Sequence, residues 1–518
     1  MTFKIIHAVN DAPGQSGQGT RGPRAFAAVL SLLVGAGVAA RVLALPRLLP
    51  DLDAVNFARS LNGFDLSAQA PHFPGYPVYV ALARLASAAG APEVTALALP
   101  GLVLGAVAIG VLGLVLRPYL GATGALVGAA LLALLPLPVL FGATPGSDGA
   151  GLALLVLAAC AVLGARDAAP RMAVLAGALA GVALGARPSF LPALLGLALV
   201  LVVPRGRRLA TFVGGGLGVT AWLLPLVALT GPAELLRIGS GFLRGHGNEW
   251  GGTVAVRPEL GWRLEHFGFD ILAAGLGLPW SGLSGDSVPV LVARFLLALG
   301  LAGALVVLVR AALRDTLSSG ERQVARLALA LGLPYGAWMF LGQNLLKARH
   351  ALPVVLALAL LAAVGVAVLA RAWPSRVLLP VAGALAATTA AVMLPVALAQ
   401  GAEPSPAARL VAHVASRLPP GGTLLFTGEE ARLFEHYVPH YRAGRPATGE
   451  QLRREVARVA AAGAHVYVTS TAPGAEALAP HLEPVSRFAC DRRVRSHAHD
   501  IVLFHYRPAP PAAPEKVL

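Results

Sequence analysis

Three groups of charged residues have types and positions that suit proton transfer and the binding of an anion. Asp51 and Asp53 end the first long apolar run, in "LLPDLDAVNFARSL", and Asp148 opens a later one, in "TPGSDGAGLALL". Lys347 and Arg349 stand before another apolar run, in "KARHALP". A carboxylate can take a proton from a reacting hydroxyl group, and Lys and Arg side chains can bind a phosphate. Whether these groups meet depends on the elements that hold them.

The composition is that of a protein embedded in a membrane. Of the 518 residues, 56% are hydrophobic and only 13% are charged, with a mean hydropathy of +0.70. Soluble domains carry roughly a quarter of charged residues. The net charge of +15 lies in short loops between apolar runs, without clusters of interleaved aromatic residues, so we expect no nucleic-acid binding. Cys160 and Cys490 predict neither a disulfide framework nor a metal site.

Apolar runs long enough to cross a bilayer recur along the chain. We predict a disordered cytoplasmic segment at residues 1–25 and a transmembrane domain at 26–400, with long outer loops at 49–91 and 231–287. The domain is predicted to hold about eleven transmembrane helices, near residues 26–48, 92–116, 121–142, 149–165, 171–186, 188–204, 209–230, 288–310, 324–343, 350–371 and 377–399. Because net positive charge then collects in the cytoplasmic loops, the charged groups described above face the outer side.

The character of the sequence changes after residue 400. "PSPAARLVAHVASRL" predicts an amphipathic helix, and "GGTLLFTG", "AHVYVTST" and "HDIVLFHYR" predict short buried strands with helices between the first two. Residues 401–508 are therefore predicted to form a small extracytoplasmic α/β domain. Residues 509–518 are predicted to be a disordered tail.

Further polar residues belong to the outer loops of this topology. The turn "PHFPGYP" would orient two side chains, and short loops elsewhere hold several more; together they are His72, Tyr76, Arg187, His246, Glu249, Trp250 and His350. The positive charges near the start of the tenth helix run against the usual charge bias. They indicate either an anionic ligand or side chains that extend along the membrane surface.

The carboxylates also have structural interpretations. Asp51 and Asp53 are two residues apart, so on a helix they cannot face the same way. Asp51 could cap a short helix that starts near Leu52 by accepting hydrogen bonds from free backbone amides. Asp148 could likewise cap the fourth transmembrane helix, with Ser147 as a competitor for that role.

The sequence resembles the GT-C superfamily of polytopic glycosyltransferases, in particular the bacterial branch related to protein O-mannosyltransferases and lipid A aminoarabinose transferases. The likeness rests on "DAVNFARSLNGFD…PHFPGYPVYVALARL", "TPGSDGAGLAL", "GARPSFLPALL", "HGNEWGGTV" and "KARHALP". It places Asp53 and Asp148 at the two acidic positions of this branch. Lys347, Arg349 and His350 then stand at the donor phosphate, although relatives often have Tyr where His350 stands.

The resemblance implies a polyprenyl-phosphate sugar donor and a lipid, protein or glycan acceptor. We expect an inverting transfer at the outer face of the cell (inner) membrane, with Asp53 as general base and Lys347 and Arg349 on the leaving phosphate. For sugar or acceptor binding we name Asp51, His72, Tyr76, Arg187, His246, Glu249 and Trp250. No cofactor is certain, and a divalent cation is possible.

Two other functions fit parts of the sequence. A transporter or lipid-carrier flippase would also have many helices with a few buried charges, although no internal repeat with broken helices is evident. A membrane-anchored sensor or assembly factor could act through the C-terminal domain. That function would not need acids and cations gathered around the earlier outer loops.

Overall fold

The computed structural model describes residues 21–165, 170–200, 207–281, 285–495, 497 and 499–508. Residues 1–20 of the predicted cytoplasmic segment lie outside the described residues, and so does the predicted tail at 509–518. The rest is a helical membrane domain followed by a small mixed α/β domain, as the sequence predicts.

The membrane domain is built from fifteen α-helices of the described chain. They are α1 Arg21–Leu43, α2 Leu52–Asn62, α3 Pro77–Ala88, α4 Glu93–Leu134, α5 Pro136–Ala143, α6 Ser147–Gly164, α7 Pro170–Ala186, α8 Leu191–Val200, α9 Arg208–Thr230, α10 Pro232–Asn248, α11 Leu260–Gly268, α12 Val288–Leu313, α13 Ser319–Gly342, α14 Leu352–Ala372 and α15 Ser375–Ala402. Among the described residues, 8 helices are long and apolar enough to cross a membrane. The count of eleven spans remains a prediction.

Helix α4 is two segments that fold back on each other at Gly121. Gly121 has φ 68, in the left-handed region that glycine reaches without strain. A Cβ on Gly128 would lie 2.9 Å from Leu116 Cδ1, whereas residues twelve apart on a straight helix are about 18 Å apart. The 42-residue element therefore supplies two antiparallel segments, and the sequence predicts a separate span for each.

The C-terminal end of α1 is held by a buried arginine. Pro136 has no N–H, so the carbonyl of Leu132 lacks its usual helical donor. Arg41 Nη2 donates to that oxygen at 3.3 Å, and its Nη1 donates to Gly37 O at 2.9 Å. A charge at membrane depth needs such partners. This contact fixes α1 immediately before the segment that carries Asp51.

The C-terminal domain consists of a five-stranded sheet with flanking helices. Its elements are α16 Pro406–Arg417, β1 Thr423–Phe426, α17 Ala431–Tyr437, β2 Arg442–Gly444, α18 Gly449–Ala461, β3 His465–Thr469, β4 Leu482–Phe488 and β5 Ile501–Tyr506. The strand order is β2-β1-β3-β5-β4, with β1 parallel to β2 and β3, and β5 antiparallel to β3 and β4. The three predicted strands correspond to β1, β3 and β5; β2 and β4 were not predicted.

The two domains share one apolar core beside helix α2. Val55 and Ala58 of α2 are buried in the same cluster as Leu433 and Phe434 of α17. Burial of a Val, Leu or Phe side chain contributes roughly 1.5–3 kcal/mol. The C-terminal domain therefore packs against and supports α2, the helix that contains Asp53 and begins directly after Asp51.

Candidate active site

The two acids of the opening stretch have different surroundings. Asp51 is the N-cap residue of α2, and its carboxylate accepts a hydrogen bond from the Ala54 N–H at 2.9 Å. The predicted capping role of Asp51 is thus confirmed, and the helix starts at Leu52 as expected. Asp53 is the second residue of α2, in its first turn, and its side chain contacts a different set of groups.

Asp53 is surrounded by Lys347 and Arg349, the cations that the family resemblance assigns to a donor phosphate. Arg349 Nη2 lies 2.6 Å from Asp53 Oδ2, and Lys347 Nζ lies 3.8 Å from the same oxygen. His72 Nδ1 is 3.9 Å from Asp53 Oδ1. The Asp53 side chain keeps 23% exposure, so a substrate can still reach it. The fold thus joins three separate stretches of sequence around one carboxylate.

This environment determines the charge of Asp53. Burial alone would raise the pKa of its carboxyl, but the positive charges of Lys347 and Arg349 hold that pKa well below its usual range. Burial also lowers the pKa of His72, which is therefore neutral at pH 7. Asp53 is an ionised carboxylate whose strongest partner is a guanidinium.

Asp148 is part of the same group of charges. Its Oδ1 lies 2.7 Å from Arg187 Nη2 and its Oδ2 lies 4.0 Å from Arg349 Nη1. Arg187 also donates to Ser147 Oγ at 3.1 Å. The N-cap residue of α6 is Gly146, without a side-chain capping bond. The alternative that Asp148 or Ser147 caps this helix is therefore wrong, because both side chains bind an arginine.

The turn "PHFPGYP" supplies an aromatic wall beside these charges. Tyr76 has φ 45 and precedes α3. Its ring lies 5.1 Å from the His72 ring and 5.2 Å from the Phe57 ring, and the Arg187 guanidinium is 5.6 Å from its centroid. The predicted residues His72, Tyr76 and Arg187 therefore border the Asp53–Asp148 group. Phe57, which no pattern in the sequence indicates, completes the wall.

The remaining predicted residues form no ion pair or hydrogen bond with Asp53 or Asp148 in the described part of the chain. His350 is buried, and its Nδ1 has no hydrogen-bond partner among the described residues. His246 Nε2 is 2.9 Å from Gly342 O, and the His246 ring is 5.4 Å from the Trp250 ring. These two residues pack near the end of α13, close in sequence to Lys347. Glu249 is exposed.

Two residues that support the site were missed in the sequence. Arg263 is fully buried and donates to Phe340 O at 2.8 Å and to Gly252 O at 2.9 Å, which fixes the end of α13. Tyr437 Oη accepts a hydrogen bond from the Leu49 N–H at 2.8 Å, two residues before Asp51. Both side chains bind backbone groups, and such contacts leave no pattern of residue types in the sequence.

The Tyr437 contact can be tested without reference to activity. We expect Tyr437→Phe to lower the free energy of unfolding by about 1–3 kcal/mol, because the buried Leu49 N–H loses its acceptor. Thermal unfolding of the purified protein in detergent measures the change. Tyr467→Phe in β3 is the matched control, since that hydroxyl bonds to no described residue. Equal melting temperatures for the two variants would contradict the proposed support.

The residues of this site do not fit a divalent cation. Asp53 and Asp148 each contact a guanidinium, and with Lys347 the five contacting groups carry three positive and two negative charges. Because these five groups together carry one net positive charge, they repel a metal cation and attract an anion. Within the described part of the chain, no three His, Cys, Asp or Glu residues are arranged to hold a metal.

The chain resembles known proteins in part of its sequence and in most of its fold. A family model described as "Dolichyl-phosphate-mannose-protein mannosyltransferase" matches residues 72–229, which include His72, Tyr76, Asp148 and Arg187. A search of the curated proteins finds no match.

Two solved structures share most of the architecture. The structure of ArnT from Cupriavidus metallidurans bound to undecaprenyl phosphate is 16% identical with a TM-score of 0.53, and the similarity covers 92% of this chain and 97% of that one. The oligosaccharyltransferase of Archaeoglobus fulgidus, tethered with an acceptor peptide, is 15% identical with a TM-score of 0.54. That similarity covers 86% of this chain and 69% of the other. At such low identity the likeness concerns the fold.

Proposed function

We propose, from the GT-C fold that the chain shares with polytopic membrane glycosyltransferases, that the protein transfers a sugar from a polyprenyl-phosphate donor to an acceptor. The transfer takes place at the outer face of the cell (inner) membrane. The shared fold and the family match indicate a transferase that uses a lipid-linked sugar. ArnT was solved with undecaprenyl phosphate, which supports a lipid phosphate as the leaving group here.

One observation carries the proposal. Arg349 and Lys347 contact Asp53 although about 300 residues separate them along the chain. A transferase of this kind needs a base for the acceptor and cations for the departing phosphate within the length of one sugar–phosphate unit. The Asp53 group provides both, in a half-buried position next to aromatic rings that can pack against a sugar.

The reaction then follows from the roles of these groups. Asp53 takes the proton of the acceptor hydroxyl as its oxygen attacks the anomeric carbon of the sugar. The bond between that carbon and the phosphate oxygen breaks, and its electron pair leaves with the polyprenyl phosphate. Lys347 and Arg349 stabilise the negative charge that develops there. Attack from the side opposite the phosphate inverts the anomeric centre.

The other charges and rings position these groups. The buried Asp148–Arg187 pair holds the second arm of Arg349, while His72, Tyr76 and Phe57 border the space in front of Asp53. Because His72 is neutral, its ring can hydrogen-bond a sugar or acceptor hydroxyl without competing for the phosphate. Donor phosphate and acceptor hydroxyl therefore have separate partners.

Membranes that contain the protein provide the direct test. Given a polyprenyl-phosphate sugar labelled in the sugar, they should release free polyprenyl phosphate and transfer the label to another molecule. A transporter or flippase would move the labelled lipid without breaking its sugar–phosphate bond. Label that remains on the lipid in membranes with the protein, over a range of acceptors, would contradict the proposed function.

The charge of the site also predicts the response to metal removal. We expect EDTA to leave the transfer rate unchanged, because Arg349 already lies between the two carboxylates. The measurement is the initial rate of labelled transfer with EDTA, and then with Mg²⁺ or Mn²⁺ restored in excess. A rate that falls with EDTA and recovers with the metal would contradict this prediction.

A further inference from the structure

We propose that the donor phosphate frees Asp53 by taking Arg349 and Lys347 away from it. This inference rests on the proposed function and adds an order of events to it. In the structure the two cations bind the carboxylate that is to act as base. The phosphate of a bound donor needs the same cations, so the donor and Asp53 compete for them.

The geometry of Arg349 allows such an exchange. Its Nη2 contacts Asp53 at 2.6 Å, whereas its Nη1 is 4.0 Å from Asp148. Its buried Nε has no hydrogen-bond partner among the described residues. Arg187 is bound to the other oxygen of Asp148 and keeps that carboxylate in place. Arg349 can therefore turn from Asp53 to a phosphate while Asp148 continues to attract its second arm.

The balance of charges favours the exchange once a phosphate arrives. The five contacting groups have one net positive charge, so an anion of the phosphodiester type neutralises them. Bidentate binding of a guanidinium to phosphate is as favourable in geometry as its binding to a carboxylate. Asp53 remains partly exposed and can be solvated when its partner turns away, which lowers the cost of the step.

The exchange has a consequence for catalysis. A carboxylate whose pKa is held low by two cations is a weak base, because base catalysis is most effective with a pKa near the working pH. When the cations move to the phosphate, the pKa of Asp53 rises towards its ordinary range. Asp53 thus becomes an effective base only with the donor in place, so the donor acts before the acceptor is activated.

A double-mutant cycle on lipid-phosphate binding tests the proposal separately from activity. The probe is farnesyl monophosphate, titrated calorimetrically into the purified full-length protein in detergent. If Asp53 competes for the cations, Asp53→Asn should bind the probe about tenfold more tightly than the unmodified protein. Asp65→Asn, in an exposed turn of the same outer loop, should bind it with unchanged affinity.

Repeating the Asp53→Asn substitution in a protein that lacks Arg349 distinguishes competition for the cations from simple repulsion between Asp53 and the phosphate. In a chain that also carries Arg349→Gln, the gain from Asp53→Asn should fall to about twofold, since the shared partner is gone. Lys347→Gln is a second background, with a more exposed side chain, and should reduce the gain in part. Melting curves confirm that each variant is folded.

Two outcomes would overturn the inference. One is unchanged affinity of the Asp53→Asn protein for farnesyl monophosphate. The other is an equal gain with and without Arg349, which would mean that Asp53 only repels the phosphate. Neither outcome would bear on the proposed function, whose failure would appear as a lack of labelled-sugar transfer by the unmodified protein.

Discussion

Asp53→Asn should abolish sugar transfer while leaving the protein folded and inserted in the membrane. The amide of asparagine has nearly the shape of the carboxylate but cannot take the proton of the acceptor hydroxyl. Loss of a general base lowers reaction rates by about 10²–10⁴-fold. The fold should tolerate the change because the Asp53 side chain keeps 23% exposure and Arg349 retains Asp148 as a counterion. The rate of polyprenyl-phosphate release per molecule of protein measures the effect.

The control is Asp65→Asn, which makes the same replacement of a carboxylate by an amide in the loop that follows α2. The Asp65 carboxylate accepts hydrogen bonds from the backbone amides of Ser67 and Ala68, and an asparagine oxygen can do the same. Its rate of transfer should be normal. A normal rate for Asp53→Asn as well would remove Asp53 as the base, whereas a lower melting temperature would show that its effect on rate is structural.

The parts of the fold that could be predicted from sequence are those with a local cause. Apolar runs and the charges between them predict the membrane helices, because an unpaired backbone or charge inside a bilayer costs several kcal/mol. The two-residue spacing of Asp51 and Asp53 predicts that their side chains face different ways on a helix, and the family resemblance assigns the catalytic position to Asp53. The structure confirms the capping role of Asp51, and the catalytic role of Asp53 remains a proposal.

Elements without a strong local pattern were not found. Strand β2 has only three residues, and β4 contains Pro484 and mostly exposed or half-exposed side chains, so neither has the buried alternation of a strand. Helices α10 and α11 lie in a segment that was predicted only as a long outer loop. Both helices are short and amphipathic, and their glycines and charges interrupt any apolar run long enough to cross a membrane, which is the signal on which the membrane helices were predicted.

The arrangement of the charges could be predicted only in part. The sequence indicates that carboxylates and cations gather on one side, but it does not indicate which acid binds which cation. The contacts of Arg349 with both Asp53 and Asp148 join residues far apart in the chain, and so does the contact between Tyr437 and Leu49. Such pairs are decided by tertiary packing. They explain why a capping role for Asp148, reasonable from sequence, is wrong.

The cations should prove as important for the donor as Asp53 is for the chemistry. Lys347→Glu changes the net charge of the five contacting groups from one positive to one negative, and it replaces a lysine that is 44% exposed by a carboxylate. Since a hydrogen bond to a charged group contributes about 1.5–3 kcal/mol, donor affinity should fall by about 10–100-fold. Arg349→Glu should have at least the same effect, with an added loss of stability because Asp53 and Asp148 then face a third carboxylate.

The ratio of the two substrate affinities separates this electrostatic effect from general damage. The Michaelis constants for the labelled donor and for the acceptor are measured with each variant, and with Arg454→Glu as a control of equal charge change on the exposed face of α18. We expect the donor constant to rise far more than the acceptor constant in Lys347→Glu, and neither to change in the control. Because salt screens a charge near the surface, the donor constant of the unmodified protein should also rise with ionic strength. An unchanged donor constant in both site variants would mean that Lys347 and Arg349 do not bind the phosphate, and the exchange proposed for Asp53 would fail with it.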